Sequence, residues 1–155
     1  MGDVVIFGAS RGLGAALASG VAAPGERVWC ISRTRPACLD LSDGITREWI
    51  EHDLADPDGM TKVATRLQNV DIGLFVYNAG IWESLGFEKA DLGELRAIVD
   101  VNLTSLLLAA RMLLPNVRRS PHARVVLISS TCGLDNEGTT SVAYAATKFA
   151  VRGTG

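Results

Sequence analysis

The stretch Val4-Val-Ile-Phe-Gly-Ala-Ser-Arg-Gly-Leu-Gly14 narrows the possible folds more than any other part of this chain. Four apolar residues that read as a buried strand run directly into three glycines and then into a helical pattern. Gly8, at the strand's end, permits backbone angles that a side chain would forbid. Gly12 lacks a Cβ, so an anionic ligand can approach the chain, and Gly14 lets the following helix pack close to the sheet. The free N–H groups and positive dipole end of that helix favour phosphate. The spacing Gly-x-x-x-Gly-x-Gly shares the logic of the common dinucleotide fingerprint but not its register. By itself the cluster also fits a tight strand-to-helix turn that binds nothing.

With 155 residues the chain is expected to form one domain, 1–155, with a substantial core. A net charge of −2 and 48% apolar residues argue against disorder and against nucleic acid as a partner. The longest apolar run, Leu103 to Leu114, is broken by Thr104, Ser105 and Arg111, so no membrane span is expected. Asp3 and the shortness of Val4–Phe7 do not suit a signal peptide. Cys30, Cys38 and Cys132 are odd in number and lack metal-ligand spacing, and His52 and His122 are isolated. The expectation is reduced thiols, no metal and a cytoplasmic location.

Leu13, Leu17, Ala18 and Val21 recur at helical spacing, and Pro24-Gly25 ends that helix. Strands follow at Arg27–Ile31 and Arg47–Glu51, the latter mixed in polarity and so suited to a sheet edge. Asp56-Pro57 reads as an N-cap and first helical residue, with Met60, Val63, Ala64 and Leu67 as the apolar face. A fourth strand covers Ile72–Tyr77 and ends at Asn78-Ala-Gly80. Helices over Asp91–Val101 and from Leu103 to about Arg118 lead to a fifth strand, Arg124–Ile128, and the stretch 133–140 reads as a loop. Alternating strands and helices predict an α/β fold with a doubly wound parallel sheet.

Beyond the fifth strand stand Ser129-Ser130 and then Tyr144-Ala-Ala-Thr-Lys148. On a helix, positions four apart share a face, so the ammonium can sit near the phenol oxygen and stabilise its phenolate. Such a phenol can exchange a proton with a carbonyl or alcohol oxygen. Taken alone, the pair also fits a packed tyrosine beside a surface lysine.

The glycine turn, Asn78-Ala-Gly80, Asn102, Ser130 and Tyr144-x-x-x-Lys148, in that order, resemble the short-chain dehydrogenase/reductase family over Val4 to Arg152. The resemblance implies a Rossmann-like sheet of order 3-2-1-4-5. It implies that Gly8, Ser10, Arg11, Gly12, Leu13 and Gly14 surround the cofactor phosphates. Asp53 and Leu54 would border the adenine, and Asn78, Ala79 and Gly80 would support the sheet and line the adenosine ribose side. Ser130, preferred to Ser129 because Gly133 lies three residues on, would hydrogen-bond the substrate oxygen. Tyr144 would exchange the proton, Lys148 would hold the nicotinamide ribose and acidify Tyr144, and Asn102 would hold a water linking Lys148 to solvent.

The chain departs from the family pattern at Phe7, where Thr is usual, and at Tyr77, where a second Asn is usual. Both touch supporting hydrogen bonds of the turn and sheet, which predicts less rigidity there and unchanged chemistry. The second strand carries no terminal acid, and Ser32 and Arg33 with Arg11 could surround a 2′-phosphate, which predicts NADP(H) over NAD(H). Arg33 and Arg35 could otherwise simply solubilise a surface loop.

Family members continue past the equivalent of Gly155 with further strands and a substrate loop, so this sequence is expected to be part of a longer protein. Leu106 to Ala110 are apolar all round, which with the family's habit of pairing this helix predicts a homodimer or homotetramer. The function expected is hydride transfer between NADP(H) and a small carbonyl or secondary alcohol substrate. The alternative is a non-catalytic NADP(H)-binding regulatory or sensing module. An epimerase or dehydratase of the larger relatives fits the glycine spacing less well.

Overall fold

A computed structural model of the chain describes residues 2–135 and 140–155; residues 136–139 of the stretch expected to be a loop lie outside the described residues. The elements in order are β1 (Asp3–Phe7), α1 (Gly12–Gly20), β2 (Arg27–Ser32), β3 (Thr46–Glu51) and α2 (Met60–Leu67). Then come β4 (Ile72–Tyr77), α3 (Leu92–Val99), α4 (Ser105–Arg118), β5 (Arg124–Leu127) and α5 (Val142–Arg152). The strands pair parallel in the order β3-β2-β1-β4-β5, as expected from the sequence. Two cores follow from the alternation of side chains along a strand. Val5, Phe7, Trp29, Ile31, Phe75 and Tyr77 face one way and pack with α2 and α4. Val4, Ile6, Val28, Cys30 and Val76 face the other way, against Ala18 of α1.

The mixed polarity of β3 has a use at its edge position. The Arg47 side chain, only 2% exposed, donates from Nε to the Ala18 carbonyl and from Nη2 to the Ser19 carbonyl, both at 2.8 Å. It thus satisfies carbonyls that the last turn of α1 would leave open. It also donates to the Ile45 carbonyl and, through both terminal nitrogens, to Asp43, whose carboxyl the guanidinium holds down to about 2. β5 forms the opposite edge, where Val125 and Val126 are exposed.

Several expectations need correction. Pro57–Gly59 forms a separate 3-10 turn before α2, and Asp56 makes no capping bond. Its backbone, at φ −108° and ψ 87°, falls short of the extended conformation that aims a cap at the first turn. Asp91 does cap α3, accepting from Glu94 N at 2.8 Å. α3 and α4 are joined by a π-helical segment, Asp100–Thr104, into one rod from Leu92 to Arg118. Within its 27 residues one 18-residue window reaches a mean hydropathy of 1.7, so by length and composition alone the rod could cross a membrane. Here it packs against the sheet instead: Ile98, Leu106, Ala109 and Leu113 are buried, and Ser105 and Asn116 bond to carbonyls of Leu54, Leu67 and Val70. Leu107 is half exposed, so the all-round apolar stretch is not buried all round in the single chain.

The departures at Phe7 and Tyr77 turn out to meet each other. They are register partners on β1 and β4, and their rings stack at 5.4 Å with 24° between planes. Phe75 lies 5.5 Å from Phe7 in the same cluster. The Tyr77 hydroxyl donates to the Val101 carbonyl at 2.6 Å, inside the π-helical segment, where the regular ladder is interrupted. The expected loss of rigidity is therefore corrected: stacking and one buried hydrogen bond replace the family's polar supports.

Replacing Tyr77 by Phe keeps the stack and leaves the Val101 carbonyl without this donor. The expected cost is about 1–3 kcal/mol, read as a lower urea midpoint with an unchanged m-value; an unaltered midpoint would show that the bond is dispensable.

Candidate active site

The carboxyl ends of β1 to β4 open on one cavity of about 630 Å³, astride the β1/β4 position where the strand order reverses. Such a volume suits a cofactor-sized ligand. At its floor Gly8 has φ +82°, and a Cβ there would stand 2.8 Å from the Ala79 Cα. Gly14 is tighter still, since its Cβ would fall 2.0 Å from the Gly8 carbonyl oxygen. Gly12, at φ +55°, has open space where a Cβ would be. Asn78 Nδ2 donates to the Gly8 carbonyl at 3.1 Å, so the Asn-Ala-Gly segment supports the glycine turn from behind. The first turn of α1 has no side-chain cap and no acid, which leaves its N–H groups available to an anion. Seen from these residues, the cradle fits a dinucleotide pyrophosphate.

Ser10, Arg11, Gly12 and Leu13 line this cavity, and so do Arg33, Asp53, Leu54, Asn78, Ala79 and Gly80. Leu13, which shares the helical spacing of Leu17, Ala18 and Val21, turns toward the cavity and is 52% exposed. Ser32 also lines it but donates its hydroxyl to the Thr34 carbonyl at 2.8 Å, so it shapes the loop that carries Arg33. Arg33 lies 4.0 Å from Asp53, both largely exposed. β2 carries no terminal acid, and the carboxylate beside Arg33 comes from the end of β3.

Tyr144, Lys148, Ser130 and Asn102 do not line that cavity; Lys148, Asn102 and Tyr144 meet its Gly80–Trp82 end. Lys148 is buried, and its Nζ donates to the Ile128 carbonyl at 2.8 Å and stands 5.6 Å from the Tyr144 ring centre. Burial lowers the Lys148 pKa from the usual lysine value. A Cβ on Gly80 would come within 3.2 Å of the same Nζ. Ser130 Oγ accepts from Cys132 N at 3.2 Å, which leaves its own proton to donate. Ser129 Oγ is used elsewhere, on the Lys148 carbonyl at 2.9 Å.

Asn102 is fully buried in the π-helical segment. Its Oδ1 accepts from Ile81 N, and its Nδ2 donates to the Ile81 carbonyl and to Thr147 Oγ1, each at 2.9 Å. Both amide protons are thereby committed, so the side chain clamps the exit of β4 to α5. Trp82, Glu83 and Thr147 were missed by the sequence reading. An exposed Trp after Asn-Ala-Gly was a signal of a kind; nothing in the sequence ties Glu83 or Asn102 to a helix so far along the chain.

The sequence model of the short chain dehydrogenase family matches residues 3–154. The chain belongs to that family. It is 29% identical, over 95% of its length and 61% of the relative's, to the rhamnolipids biosynthesis 3-oxoacyl-[acyl-carrier-protein] reductase of Pseudomonas aeruginosa. It is 30% identical to the 3-alpha-(or 20-beta)-hydroxysteroid dehydrogenase of Mycobacterium bovis, over 96% of this chain and 58% of that one. Among solved structures, a short-chain dehydrogenase from Sphingobium yanoikuyae in complex with NADPH superposes with a TM-score of 0.85 at 29% identity, covering 97% of this chain and 61% of that chain. The chain thus spans about three fifths of these relatives.

His52, at the cavity wall, is 8% exposed and its Nε2 is buried without a hydrogen-bond partner among the described residues. Burial lowers its pKa, with Asp56 and Asp53 acting the other way. The unfolded chain therefore takes up a proton at about pH 6.5 that the folded chain refuses, and stability falls as pH drops through that value. Urea unfolding at pH 7.5 and 5.5 should show a smaller acid loss in His52→Gln than in the native chain; equal losses would remove His52 from the account.

Proposed function

We propose that residues 1–155 form a single dinucleotide-binding domain working as an NADP(H)-dependent oxidoreductase on a ketone or secondary alcohol, with Tyr144 as the general acid/base. The observation that carries this reading is the placement of Tyr144 and Lys148 one turn apart on α5, immediately beyond the cavity's Gly80–Trp82 end. Bound nicotinamide supplies the hydride chemistry. The chain's own residues do the rest. Ser130 donates its free proton to the substrate oxygen, Tyr144 gives or takes the proton there, and the nearby Lys148 ammonium favours the phenolate. Asn102, Thr147 and the Ile128 carbonyl hold Lys148 and its helix in place.

Selectivity for NADP(H) is proposed to rest on Arg33 and Arg11 around a 2′-phosphate. The pair between Arg33 and Asp53 is solvent-exposed, so little is lost when the guanidinium turns to a phosphate dianion. The similar Sphingobium structure holds NADPH, which supports this choice. The names of the relatives, a 3-oxoacyl reductase and a hydroxysteroid dehydrogenase, support a carbonyl on an apolar skeleton as substrate class. A homodimer or homotetramer in the cytoplasm completes the proposal.

Tyr144→Phe should lower kcat by roughly 10²–10⁴-fold while the NADPH Kd, followed by nicotinamide fluorescence, stays near the native value. Turnover retained in that variant would assign the proton to another group, and a native chain that binds NADPH but turns nothing over would favour the binding-module alternative. For the cofactor, the native chain should prefer NADPH to NADH by roughly tenfold or more, and Arg33→Asp should abolish the preference. Equal native affinities would sink the NADP(H) assignment.

A further inference from the structure

The strip from Gly80 to Glu83 leaves β4 and crosses the front of α5, and each of its residues touches the proton-transfer group or its supports. Gly80 makes room for Lys148 Nζ, Ile81 is held through both its N–H and its carbonyl by Asn102, and the Trp82 indole stands edge-on to the Tyr144 ring at 6.4 Å. Glu83, only 3% exposed, closes the strip. Its Oε1 accepts from Ala143 N at 2.6 Å and its Oε2 from Tyr144 N at 3.4 Å. Ala143 and Tyr144 are the second and third residues of α5, whose N–H groups an N-cap side chain ordinarily satisfies, and Ser141 at that position gives the turn no capping bond.

We infer that Glu83 is a positioning residue for Tyr144. A cap supplied by the neighbouring Ser would tie the first turn only to itself. A carboxylate brought from 60 residues earlier ties that turn to the β4 exit, and its charge suits the positive end of the helix. One turn further on, the bond between Asn102 and Thr147 ties α5 to the same strip through Ile81. Two anchors a turn apart fix both the rotation and the axial position of α5, and with them the place of the phenol relative to Lys148 and Gly80. Small displacements of a reacting group are costly in rate, so the effect falls on the chemical step and spares cofactor affinity. The inference rests on the acid/base role proposed above for Tyr144.

The test compares the native chain with Glu83→Ala, Glu83→Gln and Tyr144→Phe, using NADPH with a 3-oxoacyl thioester and an aryl ketone as probes. Glu83→Ala should lower kcat by about tenfold to a hundredfold with the NADPH Kd close to native. Glu83→Gln, which keeps an acceptor oxygen, should recover most of that loss. In parallel, amide exchange by NMR should show Ala143 and Tyr144 protected in the native chain and exposed by Glu83→Ala, with Glu83→Asp, too short to reach the turn and mild in its effect on folding, behaving alike. Native kcat in Glu83→Ala, or a loss of cofactor binding that matches the loss of kcat, would overturn the inference. So would unchanged exchange in both shortened variants, whatever the turnover. Undiminished turnover in Tyr144→Phe, or none in the native chain, would instead bring down the acid/base reading, with the exchange comparison still deciding whether Glu83 holds the turn.

Discussion

The amide of Asn102 is the joint on which this molecule's site depends. It is wholly buried, and it binds a backbone segment and a side chain that lie on different elements: Ile81 at the exit of β4 and Thr147 on α5. A buried amide left without partners is expensive, so each of these bonds is enforced by the others. The π-helical segment is what puts Asn102 there. Widening the helix at Asp100–Thr104 redirects one side chain into the gap between sheet and α5 and presents the Val101 carbonyl to Tyr77. An irregular turn in the core helix thereby serves the strand below it and the helix beside it.

The nucleotide half of the site is organised by closeness rather than by bonds. Gly8, Gly14 and Ala79 meet so tightly that no side chain could be added at either glycine without moving backbone. β1, α1 and the β4 exit are pressed into one rigid corner, while Gly12 at the cavity has open space where a Cβ would be. Asn78 adds a side-chain bond to the Gly8 carbonyl and a backbone bond to the Phe7 carbonyl at the same corner.

Much of this was legible in the sequence because it is local or periodic. The glycine turn, the parallel strands and the shared face of Tyr144 and Lys148 all follow from spacing within a few residues. What was illegible is whatever depends on two distant elements meeting. Phe7 and Tyr77 each looked like a weakened support when read separately; only the register of β1 on β4 makes them a stacked pair. Asp53 and Arg33 follow different strands, so their proximity could not be read from either. Glu83 and Ala143 carry no local sign of one another. Asp56 failed as a cap because a 3-10 turn intervenes before α2, a matter of a few backbone angles that the Asp-Pro pair does not determine.

Arg47 gives α1 a property that the glycine turn alone could not. The front of this helix is wedged against Gly8, and its rear carbonyls at Ala18 and Ser19 are gripped by a guanidinium from the edge strand. A helix stopped at both ends cannot slide along its own axis. The depth of the glycine cradle is therefore a fixed dimension of the molecule, set as much by a charged residue at the edge of the sheet as by the glycines themselves.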